Sequence, residues 1–379
     1  MPRHLLAALL AAALLVAGCG TSSIDAPIAA AGAADVVAPV AYEGVQHQRY
    51  RLGPLKVHPG QNPIVLGPNT ERPTVPGYIT RFQPNLVYAN GKTPPVDVLH
   101  LHHGVWIMRG EPTFAVGEEK TITQFPRGFG YHFDPSDPWF INHMLHNLTP
   151  ASARVYLTWD IDFVPDSAPG AADLQPVEPL WLDVGEGLYP VFDALRGRGR
   201  NGRYTFPDDA RGAERRKVGF RQRVTLPQDM TLVAAGGHVH PGGLHVDLKA
   251  SRGSATKTIF RSEAVYYEPA GAVSWDASMT FTKPGWRVAA RKGDTLSVSA
   301  TYDTSRASWY EVMGIIDPLW YTTTKVAGAR DPFTQPIDTR GVVTHGHLPE
   351  NDHHGGTGRA THPDARKLPS GARVASLDV

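Results

Sequence analysis

Histidine is the residue type through which this sequence could do chemistry, because its histidines are grouped. Twelve of the 17 histidines in the 379-residue chain lie in three groups. The first group comprises His100, His102, His103, His143 and His146, the second His238, His240 and His245, and the third His345, His347, His353 and His354. Imidazoles that meet inside apolar strands are costly to bury without a metal ion or another partner, and imidazole suits copper and zinc. The first two groups therefore predict metal binding.

Strand geometry decides which side chains of the first group can share an ion. In a strand, His100 and His102 would lie on one face and His103 on the other, unless the strand ends or bulges at Gly104. The remaining two members follow an aromatic pair about 40 residues later and are expected to come from a neighbouring strand.

The second group is built around a turn. His238 and His240 are two residues apart, which puts both imidazoles on one face of a strand. Gly242-Gly243 is a two-residue hairpin signal, and its register would pair His240 with His245 at a Cβ separation of about 4.5–5.5 Å. We therefore expect all three histidines to line one face.

The N-terminal segment predicts an exported, lipid-anchored protein. Arg3 and His4 precede an apolar run, residues 5–16, and the segment ends in Ala17-Gly18-Cys19. The run is too short to span a bilayer and suits a signal peptide, and small residues before a lone cysteine resemble the lipobox of bacterial lipoproteins. We expect residues 1–19 to be the signal peptide, Cys19 to carry the lipid and the outer face of a bacterial membrane to be the location. The alternative is a signal peptide in which the cysteine is incidental.

Cysteine content and charge narrow the possible partners. Since Cys19 is the only cysteine, any metal must be held by histidine, methionine or carboxylate, and no intrachain disulfide can form. Lys and Arg number 37 against 36 Asp and Glu, so nothing in the charge points to nucleic acid or to a membrane surface beyond the lipid anchor.

The elements that must position these residues are short strands. Runs rich in β-branched and aromatic residues, separated by Pro, Gly, Asn and Asp, occur at 96–108, 153–163, 218–226, 230–235, 245–250 and 295–302. No long amphipathic helix is evident, and the pattern predicts an all-β fold of tandem antiparallel β-sandwiches. We assign residues 20–45 to a flexible tether, 46–165 and 173–325 to the two sandwiches, and 326–379 to a His-rich irregular tail.

Four motifs occur in an informative order. They are His102-His103, then Asn142-His143-Met144-Leu145-His146, then His238-Val239-His240, and finally Glu311-Val312-Met313-Gly314. In order and spacing they resemble the copper type II ascorbate-dependent monooxygenases, the family of peptidylglycine α-hydroxylating monooxygenase and dopamine β-monooxygenase. The resemblance covers about residues 75–325 and adds a Gly293-Asp294-Thr295-Leu296 segment that is similar to one in the family.

The resemblance implies two copper ions. One, for electron transfer, would be held by His102, His103 and His146; the other, which activates oxygen, by His238, His240 and Met313. It further implies two jelly-roll-like sandwiches facing across an open cleft, with oxygen, a reductant such as ascorbate and a small molecule as co-substrates. Neutral imidazoles suit both copper oxidation states, while a thioether favours Cu(I). The extra histidines His100, His143 and His245 are candidate additional ligands.

The substrate-binding positions depart from the family. Where the peptide-processing members carry an Arg, an Asn and a Tyr that hold a substrate carboxylate, this sequence has Gly236, Ile315 and Asp317. One acidic and two apolar positions cannot form a cationic clamp, so a peptidylglycine substrate is not expected.

Two other functions remain open at this point. The first is a copper-binding or copper-delivery lipoprotein with the same fold and no turnover, which the histidine-rich tail favours. The second is a zinc hydrolase with His238, His240 and His245 as ligands and Asp247 or Glu268 as general base. The tail itself could bind a further metal or be a solvated His/Gly segment.

Overall fold

A computed structural model describes residues 38–187, 189–267, 271–347 and 351. It is 52% strand and 5% helix, which confirms the all-β prediction. The strands of the first part are β1 (Gln46–Val57), β2 (Ile64–Asn69), β3 (Gly77–Tyr88), β4 (Leu99–Met108), β5 (Glu111–Val116), β6 (Thr123–Gln124), β7 (Phe129–Phe133), β8 (Trp139–Asn147), β9 (Ala153–Pro165) and β10 (Gln175–Pro176).

The second part is also made of strands. They are β11 (Glu178–Pro179), β12 (Leu182–Asp183), β13 (Phe192–Ala194), β14 (Arg203–Phe206), β15 (Arg223–Thr225), β16 (Met230–Val239), β17 (Gly243–Arg252), β18 (Ala255–Tyr266), β19 (Ala277–Thr282), β20 (Val288–Ala290), β21 (Thr295–Asp303), β22 (Trp309–Val312), β23 (Gly314–Tyr321) and β24 (Gly341–Val343). The helices among the described residues are three short 3₁₀ segments, Pro169–Asp173, Gly212–Lys217 and Phe220–Gln222.

Two sheets enclose the first hydrophobic core. One has the order β1-β9-β3-β7-β10 with β6 beside β3, and the other has the order β2-β8-β4-β5. Alternation explains the core: along β9, Leu157, Trp159 and Ile161 are buried, while Thr158 and Asp160 between them are partly exposed. The second sheet carries the first histidine group on β4 and β8.

A twelve-stranded sheet forms most of the second part. Its order is β11-β23-β16-β19-β18-β17-β21-β14, with β12, β15, β20 and β24 attached at its sides, and β13 pairs with β22 separately. The sheet curves into a half-barrel around a second core that includes Tyr204, Phe260, Tyr302 and Trp309. Strand β16 ends at the second histidine group.

The two parts share an apolar boundary. Val233, Ala234, Phe281 and Leu319 of the large sheet are buried in the first core rather than in the second. Because these side chains lie on β16, β19 and β23, they hold the β16 end of the large sheet against the sheet that carries β4 and β8.

The segments expected to be a tether and a tail take part in the fold where they are described. Tyr42 packs with Val164 and Leu174, and its hydroxyl accepts a hydrogen bond from the Gly128 N–H. Strand β24 pairs with β19, so the fold continues beyond residue 325. Residues 1–37, with Cys19, and 352–379, with His353 and His354, lie outside the described residues.

Late residues also bind the first part directly. The Val96 N–H donates to Asn351 Oδ1 at 3.0 Å, and the Ile122 N–H donates to Thr344 Oγ1 at 3.0 Å. These contacts attach the segment after β24 to the loops on either side of β4 and β5.

Two local predictions were wrong. Of the expected strand 218–226 only β15 forms, because a 3₁₀ turn with the exposed side chain of Phe220 precedes it. The hairpin at Gly242-Gly243 does not pair His240 with His245. Strand β16 pairs with β23, β19 and β20, while His245 lies opposite Glu263 and Thr301. Among the described residues no helix is long and apolar enough to cross a membrane.

Gly237 provides a test of the close packing that places His238. A Cβ atom at this position would lie 2.4 Å from Val246 Cγ1 and 2.6 Å from Ser262 Cβ. We expect Gly237→Ala to lower the free energy of unfolding by about 1–3 kcal/mol in a urea titration, since an extra methyl group has no room. Gly285→Ala, where no atom lies within 4 Å, is the control. Equal stability of the two variants would contradict the packing described.

Candidate metal centre

A β-bulge shapes the first histidine group. In the pairing of β4 with β8, Leu101 lies opposite Leu145 and His103 opposite Met144, so His102 is an extra residue. The bulge interrupts the alternation, two residues before the Gly104 position considered from the sequence. As a result, Nδ1 of His102 and Nδ1 of His103 are 3.3 Å apart rather than on opposite faces.

Hydrogen bonds fix which nitrogen of each ring carries the proton. His103 Nε2 is 3.2 Å from the Asn142 amide oxygen and donates to it, so its Nδ1 accepts from His102 Nδ1. His100 Nδ1 donates to the Val96 carbonyl at 3.1 Å, so its Nε2 accepts from His146 Nδ1 at 3.0 Å. Nε2 is therefore the unprotonated nitrogen of both His102 and His146.

The second histidine group has a carboxylate behind it. His238 Nδ1 donates to Glu119 Oε1 at 3.1 Å, and the same oxygen accepts the Gly117 N–H at 2.8 Å. Burial raises the pKa of Glu119, but its interactions with His238 and Gly117 outweigh burial and lower it. Nε2 of His238 is buried without a hydrogen-bond partner among the described residues.

The two groups meet in one place. The ring centroids of His102 and His240 are 4.5 Å apart and edge to face, those of His102 and His146 are 4.6 Å apart, and those of His238 and His240 are 5.2 Å apart. We call His100, His102, His103, His146, His238 and His240 the histidine cluster. The arrangement differs from the expected open cleft, because the shared apolar boundary brings β4 and β16 into contact.

Trp275 covers one side of the histidine cluster. Its ring stacks on His100 at 4.8 Å and lies 5.1 Å from His102 and 5.2 Å from His240. An aromatic plate at this position excludes water from two imidazoles of β4 and from the one that directly follows β16.

Met313 directly precedes β23, the strand that pairs with β16 at the second histidine group. It is buried at 3% exposure between β22 and β23, and it lines the same pocket as His103 and His238. Tyr302 ties it to the second histidine group, since the Tyr302 hydroxyl accepts from the His240 N–H at 3.0 Å and donates to the Met313 carbonyl at 2.6 Å. One phenol thus positions the backbone of two predicted ligands.

A small pocket opens beside the histidine cluster. It encloses about 90 Å³ and is bordered by β5, β16 and β23 together with Trp181 and Tyr189. Its walls are mostly apolar, and His103, His238 and Met313 lie along them. A small molecule in this pocket would therefore be near predicted ligands of both groups.

Burial keeps the imidazoles neutral. It lowers the pKa of His103 and of His146 to about 4, and it lowers the pKa of His100, His102 and His240 well below the usual value, with neighbouring imidazoles adding to the effect. Neutral imidazole is the form that binds metal ions.

The remaining candidates lie apart from the cluster or at its edge. His143 is buried beside His103, and burial lowers its pKa. His245 is next to Asp247, with 3.9 Å between Nε2 and the nearer carboxylate oxygen. His345 is half-buried, and the His347 ring pairs with Asp276 at 3.0 Å.

The residues of the zinc-hydrolase alternative do not converge. His245 is not paired with His240, and Asp247 is held by Arg261 through two hydrogen bonds of 2.7 and 2.9 Å. Glu268 lies outside the described residues. No general base of that alternative is therefore brought to His238 and His240 within the described chain.

The cluster fits a metal ion by the chemistry of its donors. Nε2 of His102, Nε2 of His238 and both ring nitrogens of His240 are buried and lack a hydrogen bond of normal geometry within the described chain, which is costly for neutral imidazoles. In the same residues no three His, Cys, Asp or Glu side chains already surround a single point as ligands. The rings instead pack edge to face, and ligation requires them to turn about their side-chain bonds.

Comparison with known proteins adds no relative, since no family model matches the chain and no curated protein is detectably similar to it.

Sequence reasoning missed four residues of the site. These residues, which contact or position the cluster, are Glu119, Trp275, Asn142 and Tyr302. Only Asn142 lies within a histidine motif. The signal for Asn142 was available, because it is four residues before His146 on the same strand and so shares its face. The only sequence signal at Glu119 is that a charged residue follows the apolar strand β5.

The neutral imidazoles predict how stability depends on pH. Unfolded histidines titrate near 6.5 and bind more protons than the folded ones until the pH approaches 4, so the metal-free protein loses stability over this window as pH falls. We expect His103→Gln to reduce the loss in free energy of unfolding between pH 6.5 and 4 by about 3 kcal/mol. The measurement is urea unfolding at several pH values. Identical pH profiles for the two proteins would contradict a buried neutral His103.

Glu119 provides a test of ligand orientation. Glu119→Gln keeps an acceptor for His238 Nδ1 but removes the negative charge, and we expect copper affinity to fall about 10- to 100-fold. Affinity is measured by competition with a chromophoric chelator. Glu111→Gln, at an exposed carboxylate that accepts from Arg221, is the matched control and should leave affinity unchanged. Equal affinities for the two variants would show that Glu119 does not support a ligand.

Proposed function

We propose that the protein is a copper-dependent monooxygenase that uses oxygen and a reductant such as ascorbate to hydroxylate a C–H bond of a small molecule. The observation that carries the proposal is the meeting of His102 with His240 at 4.5 Å. Each of these rings belongs to one of the two histidine motifs, and Met313 lines a pocket beside them. A set of neutral imidazoles and a thioether around a small pocket is the donor chemistry that suits copper in both oxidation states.

Each residue of the proposed centre has a defined task. His102, His103 and His146 would hold one ion, and His238, His240 and Met313 the other. Bound copper supplies one-electron redox chemistry and an oxygen-binding position. Asn142 and Glu119 fix the tautomers of His103 and His238, Tyr302 positions His240 and Met313, and Trp275 excludes water.

The overall reaction balances with an external reductant. One oxygen atom enters the C–H bond of the substrate, and the other leaves as water after two electrons and two protons have been taken up. The described residues contain no group that donates two electrons, so a reductant such as ascorbate must supply them.

The proposal extends to the finer architecture of two tandem β-sandwiches and to a lipid anchor at Cys19.

A copper-binding protein without turnover is the second candidate, and a specific observation favours it. Trp275 and the contact between His102 and His240 leave the cluster closed, with all six rings buried. A closed donor set suits retention of an ion more than repeated reaction with oxygen. The same residues would then store or deliver copper.

The first experiment measures metal content and oxygen uptake together. Residues 20–379 are loaded with copper and zinc in competition, and the bound metals are counted by elemental analysis. We expect two coppers per chain, with one lost in His102→Ala and one in Met313→Ile, and ascorbate-driven oxygen uptake that Met313→Ile abolishes. Met230→Ile, a buried methionine on the same large sheet, and His132→Ala are the controls.

The outcomes separate the two candidates. Copper loading without oxygen uptake across a panel of small molecules would replace the enzyme by the copper-binding protein. One zinc per chain that is insensitive to Met313→Ile would contradict both.

A further inference from the structure

The pocket beside the histidine cluster contains two polar side-chain atoms that the fold leaves unsatisfied. Oδ1 of Asp317 and Oγ1 of Thr121 are both buried, and neither has a hydrogen-bond partner among the described residues. Both residues line the pocket. Buried polar groups in proteins are almost always hydrogen-bonded, and leaving one unpaired costs about 1–3 kcal/mol. Two such groups in one pocket point to a ligand that pairs with them.

The strand register places the two groups near each other. Asp317 on β23 lies opposite Gly236 on β16, and a Cβ atom on Gly236 would be 3.9 Å from Thr121 Cγ2. Position 236 must be glycine for the wall to be this close, because a Cβ atom there would lie 2.8 Å from the Phe281 ring. A side chain as large as arginine has no room here.

The end of the pocket at which Asp317 and Thr121 lie, its polar end, is at a set distance from the predicted ligands. Gly236 and His238 are two residues apart on β16, and a strand rises about 3.3 Å per residue, so roughly 7 Å separate them. Ile315, Asp317 and Leu319 alternate along β23 and line the pocket together with Met313, which precedes that strand. Between the polar end and the cluster, the wall is apolar.

The environment of Asp317 selects against charge in the ligand. Burial raises the pKa of Asp317 well above its usual value, and a hydrogen bond from the backbone of Leu180 opposes this only in part. No Lys or Arg is among the described residues that line the pocket, and the imidazole of His238 is hydrogen-bonded to Glu119. A protonated carboxyl both donates and accepts, and so does a hydroxyl.

We propose that the pocket binds a small uncharged molecule whose hydroxyl, carbonyl or amide group pairs with Asp317 and Thr121, and whose apolar body extends towards His238 and Met313. The inference rests on the proposed function for its reacting end, and it names the substrate class of that site. Its polar end is a property of the metal-free chain.

The test uses three compounds that share a 4-methylphenyl ring and carry a neutral, an anionic or a cationic polar group. Binding of 4-methylphenol, 4-methylbenzoate and 4-methylbenzylammonium to the metal-free protein is measured by calorimetry. We expect 4-methylphenol to bind at least tenfold more tightly than either ion. Tighter binding of the cation would show that Asp317 acts as a counter-ion, and tighter binding of the carboxylate, or no binding at all, would equally overturn the proposal.

Variants at Asp317 separate recognition from folding. Asp317→Leu removes the polar group at similar volume, so we expect 4-methylphenol affinity to fall at least tenfold while the thermal midpoint of the free protein rises. Asp317→Asn, which still donates and accepts, keeps affinity within about threefold. At Thr121, Thr121→Val removes the hydroxyl and should lower affinity in the same way, whereas Thr121→Ser keeps the hydroxyl and should retain affinity. Loss of affinity in Asp317→Asn, or a lower midpoint in Asp317→Leu, would show that the carboxyl is structural.

A second measurement keeps this proposal distinct from the proposed function. The copper-loaded protein is assayed for ascorbate-driven oxygen uptake with 4-methylphenol. Binding without uptake would contradict the monooxygenase and leave the polar subsite intact, whereas uptake that is unchanged in Asp317→Leu would contradict the subsite and leave the monooxygenase intact.

Discussion

The neutrality of a group of buried imidazoles is the constraint on which the rest of the structure depends. Both ring nitrogens of His240 lack a hydrogen bond of normal geometry, but the other rings must direct an N–H to an acceptor in a region that water does not reach. The Val96 carbonyl, the Asn142 amide and the Glu119 carboxylate are those acceptors, and they come from three different parts of the first core. The fold can therefore be understood as the scaffold that brings three acceptors and two histidine motifs to one place.

The second constraint is the apolar boundary that the two parts of the fold share. Val233, Ala234, Phe281 and Leu319 leave their own sheet's core and pack into the other one. This exchange explains why His102 and His240 touch instead of facing each other across solvent. A pair of sandwiches with separate cores would be free to part, but here separation exposes four buried side chains, at about 25 cal/mol for every Å² of apolar surface.

Local patterns were enough to predict the β class and the approximate positions of five strands, β4, β9, β16, β17 and β21. Alternation also correctly implied that only an irregularity could bring His102 and His103 together. The sequence could not place the bulge, because its position depends on which β8 residue pairs with which β4 residue. The turn at Gly242-Gly243 was misread since a tight turn between two strands that do not pair with each other has the same composition as one that joins paired strands. Glu119 and Trp275 were beyond prediction as site residues, because their roles depend on tertiary contacts that no local periodicity encodes. Asp317 was placed at a substrate-binding position by the family resemblance alone.

The attachment of the last described residues to the first part bears on how the molecule forms. The contacts of Asn351 with Val96 and of Thr344 with Ile122 span 255 and 222 positions of chain. Contacts of such sequence separation form late, and proteins rich in them fold slowly. Both hydrogen bonds are made to loops that flank β4 and β5, and Glu119 lies in the second of these loops. During synthesis the chain would thus present its histidines well before the segment that secures them is available, and the finished donor set would arise only once the whole polypeptide has been made.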